Sequence, residues 1–270
     1  MKRSIALFII MLSMMACVKQ QEKEFSNNNL YSTLWMQSAA EYKANSIQVY
    51  QAAAANLADL ISNKNHTALT EQKDGYQELP PAIILDVDET VLDNSAYEAK
   101  LVMENKSYAR DTWNHWISLK QAGAIPGVVN FLNKAQQLGV TIFYVTNRRC
   151  TPQEDQPCPQ DRQTFENLQN VGINNVSIDN VMLRDEQEEW TGDKTSRRTY
   201  VAEKCRVIML FGDNLGDFIA DTVKTSKERM DLINQHLENW GNSWFMLANP
   251  SYGGWQSVLE KPVESNLETY

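Results

Sequence analysis

Two stretches of the chain, ILDVDETVLDNS and FGDNLGDF, each carry an unbroken apolar run into aspartates. In the first, Asp86 and Asp88 stand two residues apart. At a strand end such a pair points to one side of the pleat, so one carboxylate can attack while the other moves protons. In the second, Asp213 and Asp217 are flanked by glycines that let the backbone approach a ligand. Acids at the end of a buried strand are costly without a cation or a basic partner. Asp86 and Asp213 together can share a hard cation, and an all-oxygen set suits magnesium, which takes one or two carboxylates, waters and a phosphate oxygen. The DxDxDG spacing of an EF-hand calcium loop is absent.

Other routes to phosphate chemistry lack their parts. A cysteine-dependent phosphatase needs Arg six positions after its Cys, and the residues there are Gln156, Thr164 and Phe211. The three histidines, His66, His115 and His236, stand in no Arg-His-Gly setting and read as surface residues.

The elements that must position these acids are legible from the hydrophobic pattern. PPAIILD, VTIFYVT, a short segment near 181–183 and RVIMLFG are continuous apolar runs expected as buried strands. Helical spacing is expected over 30–61, as one helix or two, and over 96–122, 128–138, 162–171 and 195–204. Strands alternating with helices predict a Rossmann-like α/β fold, a parallel sheet covered by helices on both faces. The segments near 30–62 and 95–125 are expected as small helical cap elements on one domain over 30–270. Ligands of an open parallel sheet bind beyond the strand C-termini, where Asp86, Asp88, Thr146, Lys194, Asp213 and Asp217 all fall.

The chain has 270 residues, 43% hydrophobic and 22% charged, with a net charge of −9. That suits one globular domain and argues against binding a nucleic-acid polymer, which needs clustered Lys and Arg.

The four stretches DVDET, VTNRR, GDKTSRR and GDNLGD, in this order, resemble the four motifs of haloacid dehalogenase superfamily phosphatases. The wording ILDVDETVLDNS and GDNLGDF is similar to the class C acid phosphatases, the bacterial lipoprotein 5′-nucleotidase family. This resemblance implies that Asp86 is the nucleophile of an aspartyl-phosphate pathway and Asp88 the acid, then the base. It implies that Thr146 and Lys194 bind the phosphoryl group, Lys204 being the rival for the lysine. It implies magnesium held by Asp86, the Asp88 carbonyl and Asp213, with Asp217 as ligand or support. Arg148 and Arg149 either draw anionic substrate to the cleft or lie on the surface.

Aromatic faces stack on nucleobases with little sequence preference. In the family this chain resembles, two aromatics sandwich the base of a nucleoside 5′-monophosphate. Trp113, with Trp116 as its rival, and Tyr252 stand where that pair is expected. Packing of the helical layer is the other role open to these rings. The expected activity is therefore acid hydrolysis of phosphomonoesters, nucleotides above all. Two other readings share the fold: a non-catalytic ligand-binding lipoprotein, against which Asp86 and Asp88 both argue, and a phosphotransferase, which added glycerol would reveal.

The N-terminus MKRSIALFIIMLSMMAC joins a basic start to an apolar run over 5–15, shorter than the roughly 20 residues a spanning helix needs. It reads as an export signal over 1–17, followed by a polar tether over 18–29. The Ala16-Cys17 junction resembles the lipobox of bacterial lipoproteins, although Met14 stands where Leu is usual. Cys17 is thus the expected lipidation site, and in a Gram-negative host Val18 implies sorting to the outer membrane. Of the other cysteines, Cys150 and Cys158 flank a Pro-rich loop and form the simplest disulfide, with Cys205 an open alternative.

Overall fold

The computed structural model describes residues 27–174, 176–220, 222 and 224–270. The expected signal peptide, Cys17 and most of the tether lie outside the described residues. The elements run α1 (Leu30–Ser38), α2 (Ala40–Ser62), β1 (Pro81–Leu85), β2 (Leu92–Asp93), α3 (Ser95–Glu104), α4 (Arg110–Leu119), β3 (Gly123–Ala124) and α5 (Val128–Gln137). They continue with β4 (Thr141–Arg149), α6 (Pro159–Asn170), β5 (Val181–Arg184), α7 (Thr195–Ala202), β6 (Arg206–Gly212), α8 (Ser226–Gln235), β7 (Trp244–Met246) and α9 (Gly254–Ser257).

Five strands form one parallel sheet in the order β5-β4-β1-β6-β7, and β2 pairs with β3 as a separate antiparallel ribbon. The chain builds outward from β1 in one direction and then returns to β6 on its other side. That reversal opens a crevice at the C-terminal ends of β1 and β6, where open α/β sheets take their ligands. Because crossovers are right-handed, the change of direction also sends α5 and α6 to one face and α7 and α8 to the other.

Strand alternation fills both faces. Ile83, Leu85, Ile142, Tyr144, Ile208 and Phe211 pack beneath α2, α5 and α6, while Ala82, Ile84, Phe143, Val145, Val207 and Leu210 meet α7 and the Phe218–Trp244 region. Burying each large apolar side chain contributes about 1.5–3 kcal/mol.

The expected cap segment 30–62 divides. α1 packs on α3, whereas α2 lies in the layer covering the sheet, with Tyr50 stacked on Phe211 at 5.5 Å between ring centroids. The Tyr50 hydroxyl donates to the Thr90 carbonyl at 2.6 Å and so ties this layer to the loop after β1. The helical region expected over 96–122 is two helices, because Asn105 adopts the left-handed conformation and ends α3. Cys150 and Cys158 form a disulfide, and Cys205 is free and buried.

Candidate active site

Asp86 continues the sheet ladder, its N–H donating to the Phe211 carbonyl at 3.0 Å, so its carboxylate is delivered at the mouth of the β1–β6 crevice. Across that crevice, Asp213 follows β6 directly. The turn beyond it is a single 3₁₀ turn closed by a capping box, in which Asp217 Oδ2 accepts the Asn214 N–H at 2.9 Å and Asn214 Oδ1 accepts the Gly216 N–H. A Cβ at Gly212 would overlap the Asp217 carboxylate, which makes glycine necessary at the end of β6.

Oxygen atoms of Asp86, Asp213 and Asp217 lie within 4.8 Å of one another. Lys194, one residue before α7 and 4% exposed, donates to Asp217 Oδ1 at 2.6 Å and to Asp86 Oδ1. Burial, aggravated by the neighbouring Asp217 and Asp88, pushes Asp86 up to about 7 despite Lys194. Burial, with Asp86 and Asp217 beside it, pushes Asp213 well above the carboxylate range. For Lys194 burial works downward, but Asp217 and Asp86 outweigh it and hold the ammonium protonated. Two buried carboxylates and the half-buried Asp213 thus face one ammonium. The shortfall of positive charge and the oxygen-only donor set both fit a divalent cation, which haloacid dehalogenase phosphatases generally use.

Asp88 is turned away from that cluster. Its Oδ1 receives Arg148 Nη2 at 2.7 Å, Arg148 Nε at 3.0 Å and Asn94 Nδ2 at 2.9 Å. Asn94 is itself fixed by Trp116, whose indole N–H donates to Asn94 Oδ1 at 2.8 Å. The Thr146 hydroxyl faces Asp88 Oδ2 at 3.4 Å and accepts the Arg148 N–H at 3.0 Å. The buried Arg197 holds the strand end itself, donating to the Thr146 carbonyl at 2.5 Å and to Asn147 Oδ1 and the Thr191 carbonyl. Arg198 reaches the Gly216 carbonyl at 3.0 Å and pairs with Glu71 at 2.6 Å. The two arginines of GDKTSRR therefore clamp the loops on either side of Lys194.

Sequence reasoning left Arg148 between substrate attraction and the surface. It is 2% exposed and paired with Asp88, while Arg149 pairs with Asp185 at 2.6 Å. Strand alternation offered the signal, since Arg148 shares the parity of Thr146. Asn94 lies inside ILDVDETVLDNS, but nothing in the sequence points to its role, to that of Asn249, which donates to Asp213 Oδ2 at 2.8 Å, or to that of the buried Glu98.

Asp86, Asp88, Lys194, Asp213 and Asp217 line one cavity of about 1470 Å³, whose walls include Trp113 and Tyr252 together with Tyr97, Tyr108 and Trp255. Trp113 packs edge-on to Tyr97 at 5.0 Å, with the Arg148 guanidinium 5.8 Å from its ring centroid. Trp116 sits behind Asn94 and not among the cavity-lining residues. Lys204 lies over the Tyr200 ring at 3.6 Å, leaving Lys194 as the lysine at the site.

A family model described as HAD superfamily, subfamily IIIB (Acid phosphatase), matches residues 7–255. Among solved structures, the class C acid phosphatase of Bacillus anthracis is similar at 30% identity, with a TM-score of 0.75, over 90% of this chain and 97% of that one. A second structure of that enzyme, with tungstate bound, matches with the same figures. The chain belongs to the acid phosphatases of haloacid dehalogenase subfamily IIIB and is a phosphomonoesterase.

Proposed function

We propose that the protein is a magnesium-dependent acid phosphatase acting on nucleoside 5′-monophosphates through an aspartyl phosphate on Asp86. The observation that carries this reading is the surplus of buried carboxylate at the crevice, with Lys194 beside the atom that would attack. An Asp86 oxygen forms a bond to phosphorus as the bond to the leaving oxygen breaks, and Asp88 gives that oxygen a proton. Asp88 then takes a proton from water as its oxygen attacks phosphorus and the Asp86–phosphorus bond breaks. Lys194 and the Thr146 hydroxyl meet the equatorial phosphoryl oxygens, where charge stabilisation and positioning supply most of the catalysis. Asp86 and Asp213 would hold magnesium, with the Asp88 carbonyl as further ligand. Asp217, whose oxygens are engaged by Lys194 and the Asn214 N–H, would support them. When bound, the ion neutralises the phosphoryl oxygens and the acid cluster. A relative is solved with tungstate bound, a tetrahedral oxyanion, which supports a reading in which this protein takes a phosphate-like anion.

Trp113 and Tyr252 would stack on the two faces of a nucleobase, in a cavity of ample volume. The N-terminal reading completes the proposal: export, cleavage before Cys17 and lipid attachment there, placing the domain on the outer membrane. Phosphate release from adenosine 5′-monophosphate, with magnesium and with excess chelator, beside Asp86→Asn, tests the chemistry. Turnover that persists in Asp86→Asn or in chelator refutes it. Trp113→Ala and Tyr252→Ala should raise KM for nucleotides more than for phenyl phosphate, and Cys17→Ala should move the protein from the membrane to the soluble fraction.

A further inference from the structure

We infer that Arg148 is a positioning residue that fixes which oxygen of Asp88 exchanges protons with the substrate, and so sets the enzyme's competence on poor leaving groups. The inference deepens the mechanism proposed above and rests on it. Asp88 Oδ1 is saturated by three N–H donors, two from the Arg148 fork and one from Asn94. Among the described residues, Asp88 Oδ2 has its share of the Arg148 Nε–H at 3.2 Å and the Thr146 hydroxyl at 3.4 Å, the latter beyond the usual O–H···O range. Arg148 Nη2 and Asn94 Nδ2 take up the two lone pairs of Oδ1, and the Arg148 Nε–H is shared between the two oxygens, so Oδ2 is the one with a lone pair left to carry a proton. Arg148 is locked in turn: its remaining terminal nitrogen donates to Thr164 Oγ1 at 3.1 Å, and its side chain is 1% exposed. A planar fork gripped at both ends fixes the carboxylate's rotation as a single ammonium cannot.

The balance is simple. In the first step the proton on Asp88 Oδ2 passes to the leaving oxygen as its bond to phosphorus breaks and the Asp86–phosphorus bond forms. In the second, the same oxygen takes a proton from water as the water oxygen bonds phosphorus and the Asp86–phosphorus bond breaks. A leaving group that departs as a stable anion needs little of the first proton, and an alkoxide needs all of it. Losing the orientation of Asp88 therefore shows in kcat/KM, which covers the steps through P–O cleavage, and shows selectively.

The test compares p-nitrophenyl phosphate with adenosine 5′-monophosphate in the full chain, for wild type, Arg148→Met, Arg148→Lys and Thr164→Val, with folding checked by circular dichroism. Arg148→Met should lower kcat/KM on the alkyl ester by about 10²-fold and on the aryl ester by less than about tenfold, within the range of general acid catalysis. Arg148→Lys should fall between, and added guanidinium should restore part of the alkyl activity of Arg148→Met. Should Arg148→Met fail to fold, Thr164→Val decides, with a smaller loss of the same selectivity. Equal losses on both esters in folded protein, or no loss, overturn the inference. Asp86→Asn, assayed alongside, shows separately whether the nucleophile assignment stands.

Discussion

The two ends of β6 both bury charge, and they do so in opposite ways. At its start, Arg206 is fully buried and donates to four main-chain carbonyls: Leu60 at 3.1 Å, Asn63 at 2.9 Å and His66 at 3.0 Å through Nη1, and Ile61 at 2.7 Å through Nη2. These include the carbonyls left without partners by the end of α2, so one guanidinium closes a helix terminus and complements its dipole. At the strand's other end, three carboxylates gather about one ammonium that bonds to two of them, Asp86 and Asp217. In the first arrangement both terminal nitrogens are bonded to carbonyls, while the buried Nε has no partner, and the charge is held by the fold; the second is unbalanced, and the imbalance is where the proposed cation and phosphate would sit. Charge burial alone does not mark a site. Unbalanced charge burial does.

Lys194→Met gives the sharpest test of this contrast. It leaves Asp86 and Asp217 buried without their cation, so in chelator the variant should lose about 3–5 kcal/mol of unfolding free energy, read from urea titration. Arg206→Met should lose about 2–4 kcal/mol as its carbonyls go unpaired, with kcat and KM of the folded fraction unchanged. A loss of turnover per folded molecule in Arg206→Met would mean that the two ends of the strand are coupled and would break the comparison. Asp213→Asn should do the reverse of both. Removing one of three repelling acids should stabilise the metal-free protein by about 1–2 kcal/mol while phosphate release collapses, the trade expected of a site strained for function.

Those residues differ in how far the sequence revealed them. The acids announced themselves because each ends a continuous apolar run, PAIIL or RVIMLFG, and the parallel-sheet rule does the rest. The strand β7, by contrast, is three residues long and follows α8, a helix with no buried residue, so neither gives a periodic signal. The break at Asn105 was hidden because a left-handed Asn costs little and interrupts no hydrophobic pattern. The roles of Asn94 and Glu98 were invisible for a deeper reason. Their importance lies in partners from other elements, Asp88, Trp116 and the cavity wall, which no local pattern encodes.

Glu98 extends the comparison to the far wall of the same cavity, where a single acid is buried with no ion-pair partner among the described residues. Burial pushes it up to about 7, with the Asn29 side chain pulling the other way. A carboxyl raised in the folded state binds its proton more tightly there than in the unfolded chain. Its contribution to stability is therefore complete below the ordinary value of 4.5 and is lost as pH rises through about 7. Glu98→Gln cannot ionise, so it should match wild type at pH 4 and exceed it at pH 8 by about 1 kcal/mol, discounted because the cavity admits water. Thermal melts across pH 4–8 would read the difference. Curves that run parallel across that window would show that Glu98 ionises as freely folded as unfolded, and that the cavity wall, unlike the crevice, tolerates unpaired charge.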